Sequence, residues 1–187
     1  MAQVNAIAAV SIPTPSGDLK PRNCHEAVLG WLLQGVHPHL AQPSPLSDGV
    51  PEAWRIIRNL SNSQAGANPQ ITGTWMSNNI YTGGVLRVLE PLSHGSFGIG
   101  DAVSMGNFHA PHHSMLVVHK AASSVYARGF NNAGAFGGPY MSFDTVLRDL
   151  SDSIRWNGRS EFMGNNGPAP IHTVSFTRAA ANLAAVL

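Results

Sequence analysis

The sequence predicts an α+β fold in which helices come first and a mostly antiparallel sheet follows. Two stretches of the first third, residues 24–36 and 51–62, carry apolar residues at helical spacing. From about residue 70 onward, the chain changes to short runs of β-type residues separated by Gly, Asn and Pro. The 187 residues fit a single domain spanning 1–187, with an N-terminal arm over about residues 1–17.

The first helix is predicted to begin at Cys24 and to end before His37-Pro38. Its apolar face consists of Ala27, Val28, Trp31, Leu32 and Val36. The second helix starts at Pro51, because proline suits the first turn of a helix. Its inward face consists of Trp54, Ile56, Ile57 and Leu60.

Short strands are predicted over residues 70–76, 84–92, 101–105, 113–120 and 124–130. Residues 142–156 predict a third helix, since Ser142 can cap it and Asp144 falls in its first turn. A last strand over 171–177 and a closing Ala-rich helix over 178–187 complete the order. The loop that contains Tyr81 either lines a substrate cleft or forms a plain surface hairpin.

Composition narrows the range of partners. Charged residues make up 11% of the chain and the net charge is +1, so nothing indicates binding to nucleic acid or anionic lipid. No apolar stretch approaches the ~18 residues of a membrane-spanning helix, and we expect no membrane insertion. No basic residue precedes the short apolar run at the N-terminus, so we read no secretory signal there. The single cysteine excludes an internal disulfide framework.

Cys24 stands where a loop runs into the first helix. A thiol reacts as its thiolate, and the N–H groups at a helix start lower the thiol pKa. Arg22 can add positive potential, and the Cys24 N–H can help to stabilise an oxyanion. Because free cysteines are also among the most buried residues, a structural role stays open from this position alone.

A histidine that can activate the thiol lies at the start of a predicted strand. His113 opens the run 113–118, and a strand-opening position can project its imidazole toward a helix N-terminus. The next strand ends at Asn131, whose side chain can orient the second ring nitrogen. His112 can replace His113, and Asn132 can replace Asn131. His113 is preferred because it directly adjoins the apolar run 114–118.

The order of these residues resembles that of the papain-like cysteine hydrolases, and the layout is closest to their NlpC/P60 branch. Asn23-Cys24 matches the dipeptide that opens the first core helix, and residues 100–105 match the family's "GD-apolar" strand. Residues 113–118 match the strand that begins with the catalytic histidine. The stretch 126–137 resembles the papain segment in which an orienting asparagine precedes a Gly-rich turn. The resemblance covers about residues 18–140.

The resemblance implies a papain-like fold in which Cys24, at a helix start, packs on a mostly antiparallel sheet that carries His113. It implies a cysteine peptidase or amidase that cleaves a peptide or peptidoglycan amide through a thioester, without a cofactor. Cys24, His113 and Asn131 would be its catalytic residues, and glutamine deamidation or transpeptidation could use the same site. By analogy, the chain is a small bacterial effector or toxin, cytoplasmic or delivered by secretion, that an inhibitor or immunity protein could control.

Four positions depart from the family pattern. Asp18 stands where papain relatives have the glutamine of the oxyanion hole, and Met115 stands where the family has glycine. His25-Glu26 follows the cysteine in place of small or aromatic residues. Because an ionised Asp18 cannot donate to an oxyanion, another donor must serve, such as Asn23 or a backbone N–H.

Two other classes of function stay open. His109, His112 and His113, with a carboxylate such as Asp101, could hold zinc in a metallohydrolase. Against this, Pro111 interrupts any helical spacing and no H-E-x-x-H motif occurs. A non-catalytic binding module on a papain-like fold is the third possibility. We favour the cysteine hydrolase and expect no metal site.

Overall fold

A computed structural model describes residues 15–45, 48–64, 69–87, 97–107, 109–121, 124–132, 142–149 and 171–187 of the chain. The described residues form four α-helices: α1 (Cys24–Val36), α2 (Glu52–Ser63), α3 (Gly73–Asn79) and α4 (Phe176–Ala184). They also form six strands: β1 (Val85–Arg87), β2 (Ala102–Asn107), β3 (Ala110–Ala121), β4 (Ser124–Asn132), β5 (Ser142–Asp149) and β6 (Ile171–Val174). Short 3-10 turns cover Gly17–Leu19 and Pro38–Ala41.

The strands form one sheet with the order β1-β6-β2-β3-β4-β5, and each pair of neighbours is antiparallel. The strand that arrives last along the chain, β6, therefore lies between β1 and β2. The α+β class, with helices first and an antiparallel sheet after them, is confirmed. No described helix has both the length and the apolar character needed to cross a membrane.

The two faces of the sheet are buried by different sets of side chains. Along β3 the side chains alternate, so that Leu116 belongs to the larger core while Met115 and Val117 belong to a second apolar cluster. In β2, Ala102 and Val103 divide between the two cores in the same way. Because the larger core also contains the buried residues of α1, α2 and α4, the helices cover one face of the sheet. We call this side the helix face, and the second cluster marks the opposite face.

Helix α1 is the central helix of the larger core and is buried along almost its whole length. It packs against β3 and β4 on one side and against α2 and α4 on the others. Gly30 permits the close approach of α2, since a Cβ at this position would overlap the indole ring of Trp54. The residues of α2 that were predicted to face inward are buried, as Trp54 and Ile57 are, or partly buried, as Ile56 and Leu60 are.

Two predictions from local sequence were wrong. Residues 142–149 form strand β5 instead of the start of a helix, and β5 pairs with β4 through Asn131 opposite Phe143 and Gly129 opposite Val146. Pairing with a sheet edge outweighs the weak local preference for a helix. The rest of the predicted helix, residues 150–156, lies outside the described residues, as does most of the N-terminal arm.

The second error concerns residues 70–76, which were predicted as a strand. Residues 73–79 of this region form α3, and the hydroxyl of Thr72 accepts a hydrogen bond from the Trp75 N–H at 3.1 Å. Met76 and Ile80, four residues apart, are both fully buried on one side of this turn of helix. An N-cap followed by this spacing favours a helix over a strand.

Candidate active site

Cys24 is the first residue of α1, and a fixed loop leads to it. The side-chain oxygen of Asn23 accepts hydrogen bonds from the N–H groups of His25 and Glu26, both at 3.0 Å. The amide nitrogen of Asn23 donates to the Ile71 carbonyl at 2.8 Å. Asn23 is therefore the N-cap of the helix. Since both ends of its amide are engaged, Asn23 is not placed to serve as the oxyanion donor.

A buried carboxylate fixes the same loop from the other side. Glu26 is 2% exposed, and its two oxygens accept from the Arg22 N–H and from the Ser61 hydroxyl, each at 2.7 Å. The Arg22 guanidinium donates to the carbonyl of Pro69 and to the side chain of Asn62. Arg22 thus holds the loop to its neighbours. Its guanidinium group is engaged in these contacts, whereas the sequence predicts that it adds positive potential at Cys24.

The Cys24 sulfur lies in the protein interior. Burial raises the pKa of the thiol to about 11, although the backbone N–H groups of Ser114, Cys24 and His25 act in the opposite direction. The amides at the helix start therefore lower the pKa of the thiol, as the sequence predicts, but the loss of solvation raises it by more. Cys24 is a neutral thiol at pH 7 rather than half of a preformed ion pair.

A chain of buried polar side chains lies beside the sulfur. The Ser114 hydroxyl is 2.8 Å from Nδ1 of His25, and it accepts a hydrogen bond from the Tyr81 hydroxyl at 2.9 Å. Burial, followed by the charge of His112, lowers the pKa of His25 to about 4. His25 is consequently neutral at pH 7. We refer to Tyr81, Ser114 and His25 as the polar chain.

His112 and His113 lie on opposite faces of the sheet. Ser114 contacts His25 and Tyr81 on the helix face. His112 is the extra residue of a β-bulge in β3, since Met105 pairs with His113 and Gly106 with Pro111. Met105 belongs to the second apolar cluster, so a Cβ on the next residue, Gly106, would point to the helix face, and there it would meet the His112 ring. His113 shares the opposite face with Met115, and its Nε2 and the Met115 side chain are the atoms that a Cβ on Gly129 would meet. The structure therefore places His112 on the side of Cys24 and His113 on the side of the second apolar cluster.

Two glycines create the space around His112. Gly106 has φ +104°, and a Cβ built on it would lie 2.5 Å from Cδ2 of the His112 ring. A Cβ on Gly73 would overlap the Pro111 carbonyl. The first turn of α3 thus touches the backbone of β3 one residue before His112. These glycines have no chemical role of their own. Their role is to leave room for the His112 ring and the Pro111 backbone, and only the contacts in the structure reveal it.

Replacing Gly73 by Ala is expected to destabilise the protein by about 1–3 kcal/mol, because the added methyl group must push α3 away from β3. Alanine is the better helix former, so a loss of stability can only be steric. Urea unfolding measures the change. The matched control is Thr74→Ala, an exposed position of the same helix, which should leave stability unchanged or slightly raised. Equal behaviour of the two variants would contradict the close contact.

Asn131, the predicted third member of the site, lies near the end of β4, with its Cα opposite that of Phe143. Asn132 is the last residue of β4 and is opposite Ser142. The side chains of both asparagines lie outside the described part of the structure. The assignment of Asn131 therefore stays a prediction.

The metal hypothesis was tested on the described residues alone. Among them, no group of three His, Cys, Asp or Glu side chains is arranged to hold a metal ion. Asp101, the suggested carboxylate ligand, accepts a hydrogen bond from the Gly98 N–H at 2.7 Å at the start of β2. Its pKa is raised chiefly by burial.

The sequence analysis did not identify Ser114 as a site residue, and it did not predict the burial of Tyr81. Ser114 is a small polar residue in an apolar strand, and this contrast was a usable signal. Tyr81 was placed in a surface or cleft loop, yet it is fully buried. No protein-family model, curated protein or solved structure matches the chain, so the site has to be interpreted from its own residues.

Proposed function

We propose that the protein is a papain-like cysteine hydrolase that cleaves an amide bond, with Cys24 as nucleophile and His112 as general base. The observation that carries the proposal is the position of Ser114. Its backbone N–H lowers the pKa of the Cys24 thiol, and it follows His112 by two residues in β3, on the helix face that the His112 ring also occupies. A helix-start thiol thus meets a strand that carries a histidine on the same side.

His112 suits the role of base better than His113. His112 is exposed, and its charge acts on the neighbour of Cys24. His113 is 3% exposed and lies on the other face of the sheet. A proton that moves between the Cys24 sulfur and His113 would have to cross the sheet. His113 remains the alternative that the family resemblance favours. Replacing each histidine in turn by glutamine distinguishes the two assignments.

The neutral thiol determines how the reaction would start. As the Cys24 sulfur attacks the carbonyl carbon of the amide, its proton passes to a ring nitrogen of His112, and a carbon–sulfur bond forms. His112 then gives this proton to the leaving nitrogen as the carbon–nitrogen bond breaks, which leaves a thioester. Water attacks the thioester with loss of a proton to His112, and that proton returns to the departing sulfur. The products are a carboxylic acid and an amine.

The backbone provides an oxyanion donor in place of the missing glutamine. The N–H groups of Cys24 and Ser114 both act on the sulfur, and an oxyanion formed on a carbon bound to that sulfur lies within the same electrostatic field. For the third member, the register of β3 and β4 places Met115 opposite Gly129. Among the described residues the pairing of β3 with β4 ends there, so the register does not choose between Asn131 and Asn132, and Asn131 stays the candidate that the resemblance implies.

The substrate class rests on the resemblance to the NlpC/P60 branch. Peptidoglycan peptides and protein substrates both offer the required amide, and deamidation or transpeptidation would use the same thioester. Delivery as a bacterial effector or toxin, and control by an inhibitor or immunity protein, belong to the same proposal. A binding module without catalysis is the second candidate, and the burial of the Cys24 thiol is the observation that favours it.

The test is incubation of the full chain with purified peptidoglycan and, separately, with unfolded casein, followed by mass spectrometry of the products. Cys24→Ala is expected to lower the rate of product formation by at least about 1,000-fold, because the nucleophile is lost. New fragments indicate hydrolysis, whereas a change of mass without fragmentation indicates deamidation. Equal product formation by the native chain and Cys24→Ala would reject the cysteine mechanism.

A further inference from the structure

The polar chain connects three elements of the fold around the nucleophile. His25 belongs to α1, Ser114 to β3, and Tyr81 to the turn after α3, where its N–H donates to the Met76 carbonyl at 3.0 Å. Tyr81 and Ser114 are fully buried, and His25 is 6% exposed. A buried polar group is costly unless it is hydrogen-bonded, so this chain fixes the geometry of the three elements far more sharply than apolar contacts would.

The hydrogen atoms of the chain can be assigned by counting donors. The hydroxyl of Tyr81 donates to the Ser114 oxygen. The single proton of Ser114 is then available for Nδ1 of His25, 2.8 Å away. A neutral imidazole can carry its proton on either nitrogen, so the direction of this bond depends on the tautomer of His25. We assign the ring proton to Nε2, so that Nδ1 accepts from Ser114 and the donors run in one direction from Tyr81 to His25.

Ser114 is also a residue whose backbone N–H lowers the pKa of the Cys24 thiol. Its backbone is paired with Ser104 of β2, and its side chain is held from two further sides, by α1 and by the turn after α3. The backbone N–H can stabilise a negative charge only if it points at that charge. A residue that fixes Ser114 therefore affects the chemistry of Cys24 without touching the reacting atoms.

We propose that Tyr81 is a positioning residue which, through the hydroxyl of Ser114, aligns the Ser114 N–H with the anion that forms at Cys24. The inference rests on the proposed function, in which that anion is first the thiolate and then the oxyanion of the tetrahedral intermediate. Ser114 and His25 are the other positioning members. The hydroxyl of Tyr81 takes part in no step of the reaction. Its removal acts through the alignment of the Ser114 N–H.

The test measures the alkylation of Cys24 by iodoacetamide from pH 7 to pH 10, which needs no substrate and reports on the only cysteine of the chain. Below the pKa of the thiol, the rate is proportional to the thiolate fraction. Tyr81→Phe removes one oxygen atom and is expected to lower the rate about fivefold at every pH below the thiol pKa, which is the effect of one weakened hydrogen bond. Ser114→Ala is expected to lower it by at least as much.

Gln34→Ala is the matched control. Gln34 is also buried and donates one side-chain hydrogen bond, at 2.9 Å to the Gly30 carbonyl, but it lies near the end of α1 that is opposite to Cys24 and is not a member of the polar chain. It should lose stability in urea unfolding as Tyr81→Phe does, while its alkylation profile stays that of the native chain. If Tyr81→Phe is destabilised but keeps the native alkylation profile, the role of Tyr81 is structural only, and the proposal is overturned.

A second measurement needs no variant. In the native chain labelled with ¹⁵N-histidine, the nitrogen shifts of His25 should show the ring proton on Nε2. A ring proton on Nδ1 would reverse the bond to Ser114 and overturn the chain as drawn. Neither experiment involves turnover, so a failure of the proposed function, which appears as equal product formation by Cys24→Ala, is distinguishable from a failure of this inference.

Discussion

His112→Gln is expected to lower the rate of amide hydrolysis by about 100- to 10,000-fold, the range that a general base contributes, while His113→Gln should leave most of it. The physical reason is that the two rings lie on different faces of the sheet, His112 beside Gly106 and His113 beside Gly129. His112 shares the helix face with Ser114, whose N–H lowers the pKa of the Cys24 thiol. His113 points to the opposite face, toward the cluster that contains Met115.

The measurement is the rate of product formation from whichever substrate the native chain cleaves, determined for both variants at equal concentration. His113 is buried, so His113→Gln can lower stability, and the folded fraction of each protein has to be measured by urea unfolding at the assay temperature. His112 is exposed, and its replacement should not affect folding. Loss of activity in a folded His113→Gln protein, together with an active His112→Gln protein, would return the role of base to His113.

The second large effect concerns the stability of the protein between pH 6.5 and pH 4. The folded state holds the pKa of His25 at about 4, below its ordinary value of 6.5, so the unfolded state binds more protons in this interval. The contribution of His25 to the free energy of unfolding is therefore fully present above pH 6.5, and it is lost as the pH falls from about 6.5 to 4. A depression of this size corresponds to about 3 kcal/mol, a large share of the stability of a small domain.

Urea unfolding of the native chain and of His25→Asn, at intervals from pH 7.5 to pH 4, isolates this contribution. Asparagine keeps a polar group near the position of Nδ1 but does not titrate in this range. The groups that act on His25 are the hydroxyl of Ser114 and the charge of His112, so His112→Gln serves as a second comparison. The slope of stability against pH should be smaller in His25→Asn than in the native chain, and parallel slopes would contradict the buried, neutral state of His25.

The burial of Cys24 has a consequence for how substrates reach it. A thiol that is 7% exposed, with a pKa of about 11, reacts slowly with small reagents at neutral pH, unlike the low-pKa thiol that the helix start by itself predicts. Its proton has to leave during the attack rather than before it. A substrate that excludes water and brings its carbonyl to the sulfur would therefore contribute much of the activation.

The sequence by itself determined the elements whose patterns are local and strong. The apolar spacing that starts at Cys24 specified α1. The apolar run after His113 specified the middle of β3, which the structure extends from Ala110 to Ala121. The fold class followed from these patterns, because apolar periodicity depends on residues that are neighbours in the chain.

Only the tertiary structure decided which histidine lies on the helix face. His112 is the extra residue of a β-bulge in β3, where the alternation of side chains is interrupted, so its face follows from the contact of its ring with Gly106 and not from its place in the sequence. The same holds for β5, where pairing with β4 overrode a local helix signal. The pKa of Cys24 also lay beyond the sequence, since the helix start is a local feature whereas desolvation depends on everything that packs around the sulfur.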